Sequence, residues 1–251
     1  MVAAPFIIFG CGIFATMATN AVTQAIQALR DGKFVLLYDA DGREEETDMV
    51  VPSEHVTSAA VRTLRKDAGG LICTTADIRI QKALGLPFMT ELFLGMAEHY
   101  PVMKGLMPND IPYDVKSAFG ITINHRRTFT GITDDDRALT ITEFASLAKK
   151  ALTSEDGWAK REFGKSFRAP GHVHLLNTSE RILETRFGHT ELATALVTMA
   201  GLVPSATICE MMGDDGKALS KERARAYAES HGLIFLEGVQ VVEAWKQYVC
   251  R

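Results

Sequence analysis

Residues 34–51 read FVLLYDADGREEETDMVV. Both ends are apolar runs of strand length, 34–38 and 49–51, and the ten residues 39–48 between them hold six acids and one arginine. A charge run of this kind is usually a solvated turn. Here both flanks are apolar, so the loop is expected to be anchored at two sheet strands rather than free. Clustered carboxylate oxygens suit a hard cation such as Mg²⁺, and neighbouring carboxylates can act as general bases. Outward from this stretch, short apolar runs at 71–75, 119–124, 172–176, 207–211 and 233–236 read as strands. Helical patterns alternate with them. One is capped by Asn20, places Val22, Ile26 and Leu29 on one face and ends at Asp31-Gly32. A second starts from a Ser53 cap and runs to Asp67, with Gly69-Gly70 closing it. Others cover 77–84, 140–152, 191–200 and 220–230. Strands interleaved with helices indicate a layered α/β domain with no linker dividing it. Pro101, Pro108 and Pro112 mark 100–113 as a loop.

The chain has 251 residues, 47% hydrophobic and 23% charged, which is ordinary globular composition with room for a sizeable core. A net charge of −4 argues against a nucleic-acid binder, which carries a basic face. Cys11, Cys73, Cys209 and Cys250 are scattered with no CxxC pair. That spacing argues against a structural zinc site or disulfide framework and fits a reducing cytoplasm. The first 29 residues carry no charge. A signal peptide would need a basic leading region. A membrane anchor of roughly 18 apolar residues is weakened by Pro5, Gly10 and Gly12, and by the lack of a basic residue before Arg30. The expectation is therefore a start at Met17, with 1–16 an apolar extension outside the fold, 17–251 the domain, and no membrane partner.

Four more clusters carry chemistry. Arg186-Phe-Gly-His-Thr190 opens a helix, where free N–H groups attract phosphate, Gly188 lets a ligand approach closely and His189 is a metal ligand or proton carrier; a capping turn with a surface histidine is the plain alternative. His172 follows Pro-Gly at a strand entry, with His174 two residues on. Thr130-Gly-Ile-Thr-Asp-Asp-Asp-Arg137 offers hydroxyls to a sugar phosphate, or simply caps the next helix with its acids. Glu210 ends an apolar strand and is a base candidate. Cys73, inside a strand, reads as packing.

Together these motifs resemble the 3,4-dihydroxy-2-butanone 4-phosphate synthases of riboflavin biosynthesis. The resemblance runs from about Asn20 to Gly238 through Arg43-Glu44-x-Glu46-x-Asp48, Thr130-Gly-Ile-x₄-Arg137, Pro170-Gly-His172, Arg186-x-Gly-His-Thr190, Ala200-Gly-Leu-x-Pro204 and Ile208-Cys-Glu210. It implies an α/β (α+β) fold, a single three-layer α-β-α domain with a mixed sheet. It implies conversion of ribulose 5-phosphate to dihydroxybutanone phosphate and formate with Mg²⁺, or Mn²⁺ in its place. The roles it implies are metal ligation by Glu44 and His189, and substrate contacts from Arg43, Glu44, Asp48, Thr130, Arg186, Gly188, His189 and Thr190. His172 and Glu210 would be the essential acid/base pair. It also implies a cytoplasmic homodimer whose chains complete each other's sites. Such chemistry needs a Lewis acid, several proton carriers and a phosphate anchor, and these residue types supply all three.

The sequence departs from the family pattern at Glu45 and Thr47, where many members carry Asn and Gly. Thr47 is β-branched, so the loop is expected to avoid a positive φ there. Residues 134–136 are unusually acidic, and the proline-rich 99–114 stretch matches poorly and is a candidate lid. The cysteine zinc motif of GTP cyclohydrolase II, often fused to this domain, is absent, so a monofunctional enzyme is expected. Another Mg²⁺-dependent sugar-phosphate isomerase or lyase on the same scaffold would share the phosphate turn and metal pair. A binding module would not need His172 and Glu210 alongside them.

Overall fold

The structure, a computed structural model, describes residues 11–114, 116–155 and 157–250. Seven strands form one mixed sheet: β1 (Val35–Tyr38), β2 (Thr47–Pro52), β3 (Cys73–Ala76), β4 (Phe119–His125), β5 (Phe167–Asn177), β6 (Ala206–Glu210) and β7 (Ile234–Glu237). Their spatial order is β4-β5-β3-β6-β2-β1-β7. β1 pairs in parallel with β7 and β3 with β5, while β1–β2, β2–β6, β3–β6 and β4–β5 are antiparallel. The helices are α1 (Cys11–Arg30), α2 (Ser58–Thr63), α3 (Ile78–Leu84), α4 (Met89–Met96), α5 (Val102–Gly105), α6 (Asp134–Ala151), α7 (Trp158–Ser166), α8 (His189–Met199), α9 (Lys221–His231) and α10 (Gly238–Val249).

The sheet is buried on both faces, which is why its strands read as continuous apolar runs rather than alternating ones. Val35, Leu37 and Val50 point to a cluster with Val22, Ala25 and Leu29 of α1, Leu192 and Leu196 of α8 and Val241 of α10. Leu36, Met49 and Val51 point the other way, to Val61 of α2, Ile80 of α3, Ile141 and Phe144 of α6, Ala159 of α7 and Ala224 of α9. The period of two therefore sorts neighbours into separate helical layers, and the three-layer mixed-sheet expectation is met.

Several boundaries differ from expectation. The helix expected to begin at an Asn20 cap extends back to Cys11, crossing the expected start of the domain, and residues 1–10 lie outside the described residues. Ser53 begins a single 3₁₀ turn instead of a long helix. Thr57 is the cap of α2, its hydroxyl accepting from the Ala60 amide at 3.1 Å. A buried Ser53 hydroxyl is instead engaged with Ser205 and Thr207. α6 starts six residues earlier than its apolar pattern, at a Thr133 cap. The 100–113 loop contains the one-turn α5. α4, α7 and α10 were not expected: α4 buries no residue, α7 starts at Gly157 without a side-chain cap, and α10 buries only Gly238 and Val241. Among the described residues no helix is long and apolar enough to cross a membrane.

Candidate active site

The acidic turn is built around one carboxylate. Asp39, at the end of β1 and buried, accepts from the Glu44 amide at 3.0 Å, the Glu46 amide at 3.2 Å and Arg43 Nη1 at 3.1 Å. These bonds fold the chain so that Arg43 and Glu44 face inward. The left-handed positions fall on Gly42 and Glu45, with φ of 80° and 59°, and Thr47 is already extended in β2. A β-branched residue is thus kept out of the strained region, as its chemistry requires.

Across the turn stands the start of α8. His189 is buried and sits between the turn's acids, with Nδ1 at 3.0 Å from Glu44 Oε2, Nε2 at 3.2 Å from the Glu46 carbonyl and 3.8 Å from Asp48 Oδ1. Burial opposes charge on this imidazole, but the carboxylates of Asp48, Glu44 and Asp39 outweigh it and raise its pKa to about 9. Burial likewise opposes ionisation of Glu44, yet His189 and Arg43 hold it down at about 2. Gly188 precedes the helix without a side chain, and a Cβ there would lie 2.7 Å from both Arg186 Nη1 and Arg43 Nη2. Its role is to admit two guanidinium groups beside the free N–H groups of the helix start. Arg186 is held by Glu191, which is fully buried and also accepts from the Ser179 amide at 2.8 Å.

The β2–β6 register places Asp48 directly opposite Glu210. Both belong to the face shared with Cys73 and Ile208, and with Glu44, His189 and Thr190 they line a cleft of about 130 Å³. Burial raises the Asp48 pKa to about 8 against the pull of His189, with Glu210 and Glu44 adding to the rise. Glu210 is fixed by the Leu71 amide, which donates to Oε2 at 2.7 Å. A Cβ at Gly70 would stand 2.5 Å from that oxygen, so the glycine makes room for the carboxylate. Cys73 is a buried thiol whose pKa is raised, first by burial and then by Glu210 and Asp48.

His172 and Thr130 do not line this cleft. The structure brings them together elsewhere, through Asn124 at the end of β4. Asn124 Oδ1 accepts from the His172 amide at 2.8 Å, and its Nδ2 lies 3.1 Å from His172 Nδ1 and 3.4 Å from the Thr130 carbonyl. Because Oδ1 is committed to an N–H, Nδ2 must donate, which makes His172 Nδ1 an acceptor and leaves the proton on Nε2. Gly171 allows the approach, since a Cβ there would be 2.0 Å from the Ile123 carbonyl carbon. Thr130 is placed by Asp136, which accepts from the amides of Phe129, Thr130 and Gly131. β5 and β3 run in register, with His174 beside Cys73, so His172 shares the sheet face of the cleft but stands exposed toward the β4–β5 edge. Asp39, Gly70, Asn124 and Glu191 are site-building residues that the motifs did not single out.

Asp39, Glu44 and His189 could hold a metal ion, with ligand atoms within 4.8 Å of one another. Asp39 already holds the turn, which leaves Glu44 and His189 as the natural pair. Asp48 Oδ1 is buried without a hydrogen-bond partner in the same cleft. Carboxylate oxygens with one imidazole, and an orphaned carboxylate oxygen facing them, fit a hard divalent cation such as Mg²⁺.

Residues 23–244 match the family model of 3,4-dihydroxy-2-butanone 4-phosphate synthase. The chain belongs to this family. A synthase of that name from Methanothermobacter thermautotrophicus is 47% identical over 228 residues, covering 90% of this chain and 96% of the relative. One from Pseudomonas aeruginosa is 32% identical over 86% of this chain but only 51% of its own length. Among solved structures, 3,4-dihydroxy-2-butanone 4-phosphate synthase in complex with two magnesium ions superposes with a TM-score of 0.70 at 25% identity, covering 90% of this chain and 96% of the other. The Candida albicans synthase gives 0.67 at 27% identity over 89% and 96%. The fold and the family expected from the motifs are therefore both found, and with them a synthase of this name.

Proposed function

We propose that the chain converts D-ribulose 5-phosphate to L-3,4-dihydroxy-2-butanone 4-phosphate and formate as a step of riboflavin biosynthesis. The observation that carries this is the convergence of Glu44, Asp48, His189, Thr190 and Glu210 in one cleft beside Arg186 and the start of α8. The atoms balance without oxidant or reductant, since a five-carbon sugar phosphate divides into a four-carbon phosphate and formic acid. Arg186, Gly188, His189 and Thr190 anchor the phosphate at the helix start, where N–H groups and positive charge coincide. Arg43 adds a second guanidinium, and Asp48 accepts hydrogen bonds from the sugar hydroxyls. Glu44 and His189 would hold Mg²⁺, with Mn²⁺ able to substitute, and the bound cation would supply Lewis-acid polarisation of the substrate's carbonyl and hydroxyl oxygens. Glu210 is the proton carrier of the cleft, held in place by the Leu71 amide. His172, oriented by Asn124, presents Nε2–H as its acid form.

His172 and Thr130 stand apart from the cleft of their own chain, beside the exposed apolar side chains of Phe129 and Ile132. That arrangement supports a homodimer in which this edge completes the partner's site. The scattered thiols support a cytoplasmic enzyme, and 17–251 is taken as the catalytic domain. The test is to incubate the purified chain with ribulose 5-phosphate and Mg²⁺ and measure formate. Formate release, lost in His172→Ala and Glu210→Ala, is the expected result. No formate from folded, metal-supplied protein would refute the function, and full activity in either variant would remove that residue from its role.

A further inference from the structure

The anion position at the start of α8 is filled by the protein itself. Asp114, on the segment between α5 and β4, puts one carboxylate oxygen 3.0 Å from Arg43 Nη2 and 2.5 Å from Arg186 Nε. It is largely buried there, and Tyr113 beside it packs its ring 5.4 Å from the Arg43 guanidinium. The opposite flanks of the two arginines are held by other acids, Arg43 by Asp39 and Glu44, Arg186 by Glu191. Each guanidinium group therefore directs a donor, Arg43 Nη2 and Arg186 Nε, to a single point near Gly188, and Asp114 Oδ2 occupies that point. A phosphate monoester brings nearly two negative charges and three acceptor oxygens. It cannot share these donors with a carboxylate, because like charges at contact distance repel and each would lose its partners.

We propose that Asp114 is an internal stand-in for the substrate's phosphate and a specificity-determining residue of the site. It keeps the two arginines paired when no substrate is bound, and it must swing away before a phosphate monoester takes its place. A sugar lacking phosphate offers nothing that displaces a carboxylate from two guanidinium groups, so the exchange selects for the phosphorylated substrate. The proposal rests on Arg186 being the phosphate anchor. Removing an occupant that holds the site in most molecules raises the apparent affinity by the inverse of the vacant fraction. A vacant fraction of about a tenth gives about tenfold.

The experiment is calorimetric titration of inorganic phosphate into the full chain as wild type, Asp114→Asn, Asp114→Ala and Arg186→Gln. About tenfold tighter phosphate binding in both Asp114 variants is expected, with binding lost in Arg186→Gln. Unchanged or weaker binding in the Asp114 variants, with Arg186→Gln still losing it, would overturn the role of Asp114 and leave the phosphate anchor standing. Wild-type affinity in Arg186→Gln would overturn both.

Discussion

Gly188→Ala isolates the geometry of the proposed phosphate anchor from the stability of the fold. The backbone at Gly188, with φ −82° and ψ 168°, is open to alanine without strain. The added methyl group would lie 2.7 Å from a guanidinium nitrogen of each of Arg186 and Arg43, where ordinary contact begins at 3.4 Å. Each nitrogen must retreat by about 0.7 Å, and a shift of that size carries a guanidinium–phosphate bond of the 3.0 Å length that Arg43 Nη2 shows at this position beyond hydrogen-bonding range. Charge-assisted bonds of this kind contribute about 1.5–3 kcal/mol each. Misplacing both guanidinium groups should therefore cost about 2–3 kcal/mol in phosphate binding, a rise of roughly 30- to 150-fold in KM. The fold should scarcely notice, because the groups displaced are the ends of long side chains and alanine narrows the unfolded ensemble by about 0.4–1 kcal/mol. Formate release measured against ribulose 5-phosphate concentration, with a thermal melt of the same samples, separates the two effects. A KM within threefold of wild type would refute the idea that the two arginines are held in place over Gly188.

Two further perturbations probe other parts of the site. Gly171→Ala drives a methyl group into the Ile123 backbone, 2.0 Å from its carbonyl carbon, so the β4–β5 pair must part. The expected loss is about 1–3 kcal/mol in urea denaturation, and an unchanged midpoint would contradict the close approach. The metal-free protein should lose stability as pH rises from about 6.5 to 9. His189 binds its proton more tightly when folded, so its contribution is full below the unfolded pKa and disappears through about 9. Asp48, raised to about 8, acts in the same direction. Added Mg²⁺ should restore most of the loss, because metal ligands bind deprotonated. Urea midpoints at the two pH values, with chelator and with Mg²⁺, decide it, and a chelated midpoint that holds or rises at pH 9 would count against the buried cluster.

Strand positions were legible because burial on both faces leaves continuous apolar runs such as Val35–Tyr38 and Ala206–Glu210. The candidate residues could be picked out because phosphate, metal and proton transfer each demand particular side chains at a helix start or turn, and the structure gathers Glu44, Asp48, His189, Thr190 and Glu210 in one cleft. Their mutual placement was not legible. That Asp48 stands opposite Glu210 is a matter of strand register, fixed by packing between distant segments rather than by local pattern. Asn124 looked like the last residue of a strand, and Glu191 like the first acid of a helix, favoured there by the dipole. Only the fold shows that one orients His172 and the other holds Arg186. α7 and α10 were missed for a related reason. Their apolar sides, Trp158 and Phe163 in one and Val242 and Trp245 in the other, pack against clusters assembled from distant segments, which no local reading supplies.

Glu44 and His189, the two sides of the proposed metal pair, are 145 residues apart in the chain, and Leu71 and Glu210 are separated by 139. β2 sits between β1 and β6, so its outer edge has no partner until most of the chain has been synthesised. Contacts of such long range form slowly and late. While the ribosome is still at work, the acidic turn is thus a solvated hairpin tip with no affinity for a cation to speak of. The centre comes into being in one step with the closing of the sheet, and a truncated or misregistered chain has no partial version of it.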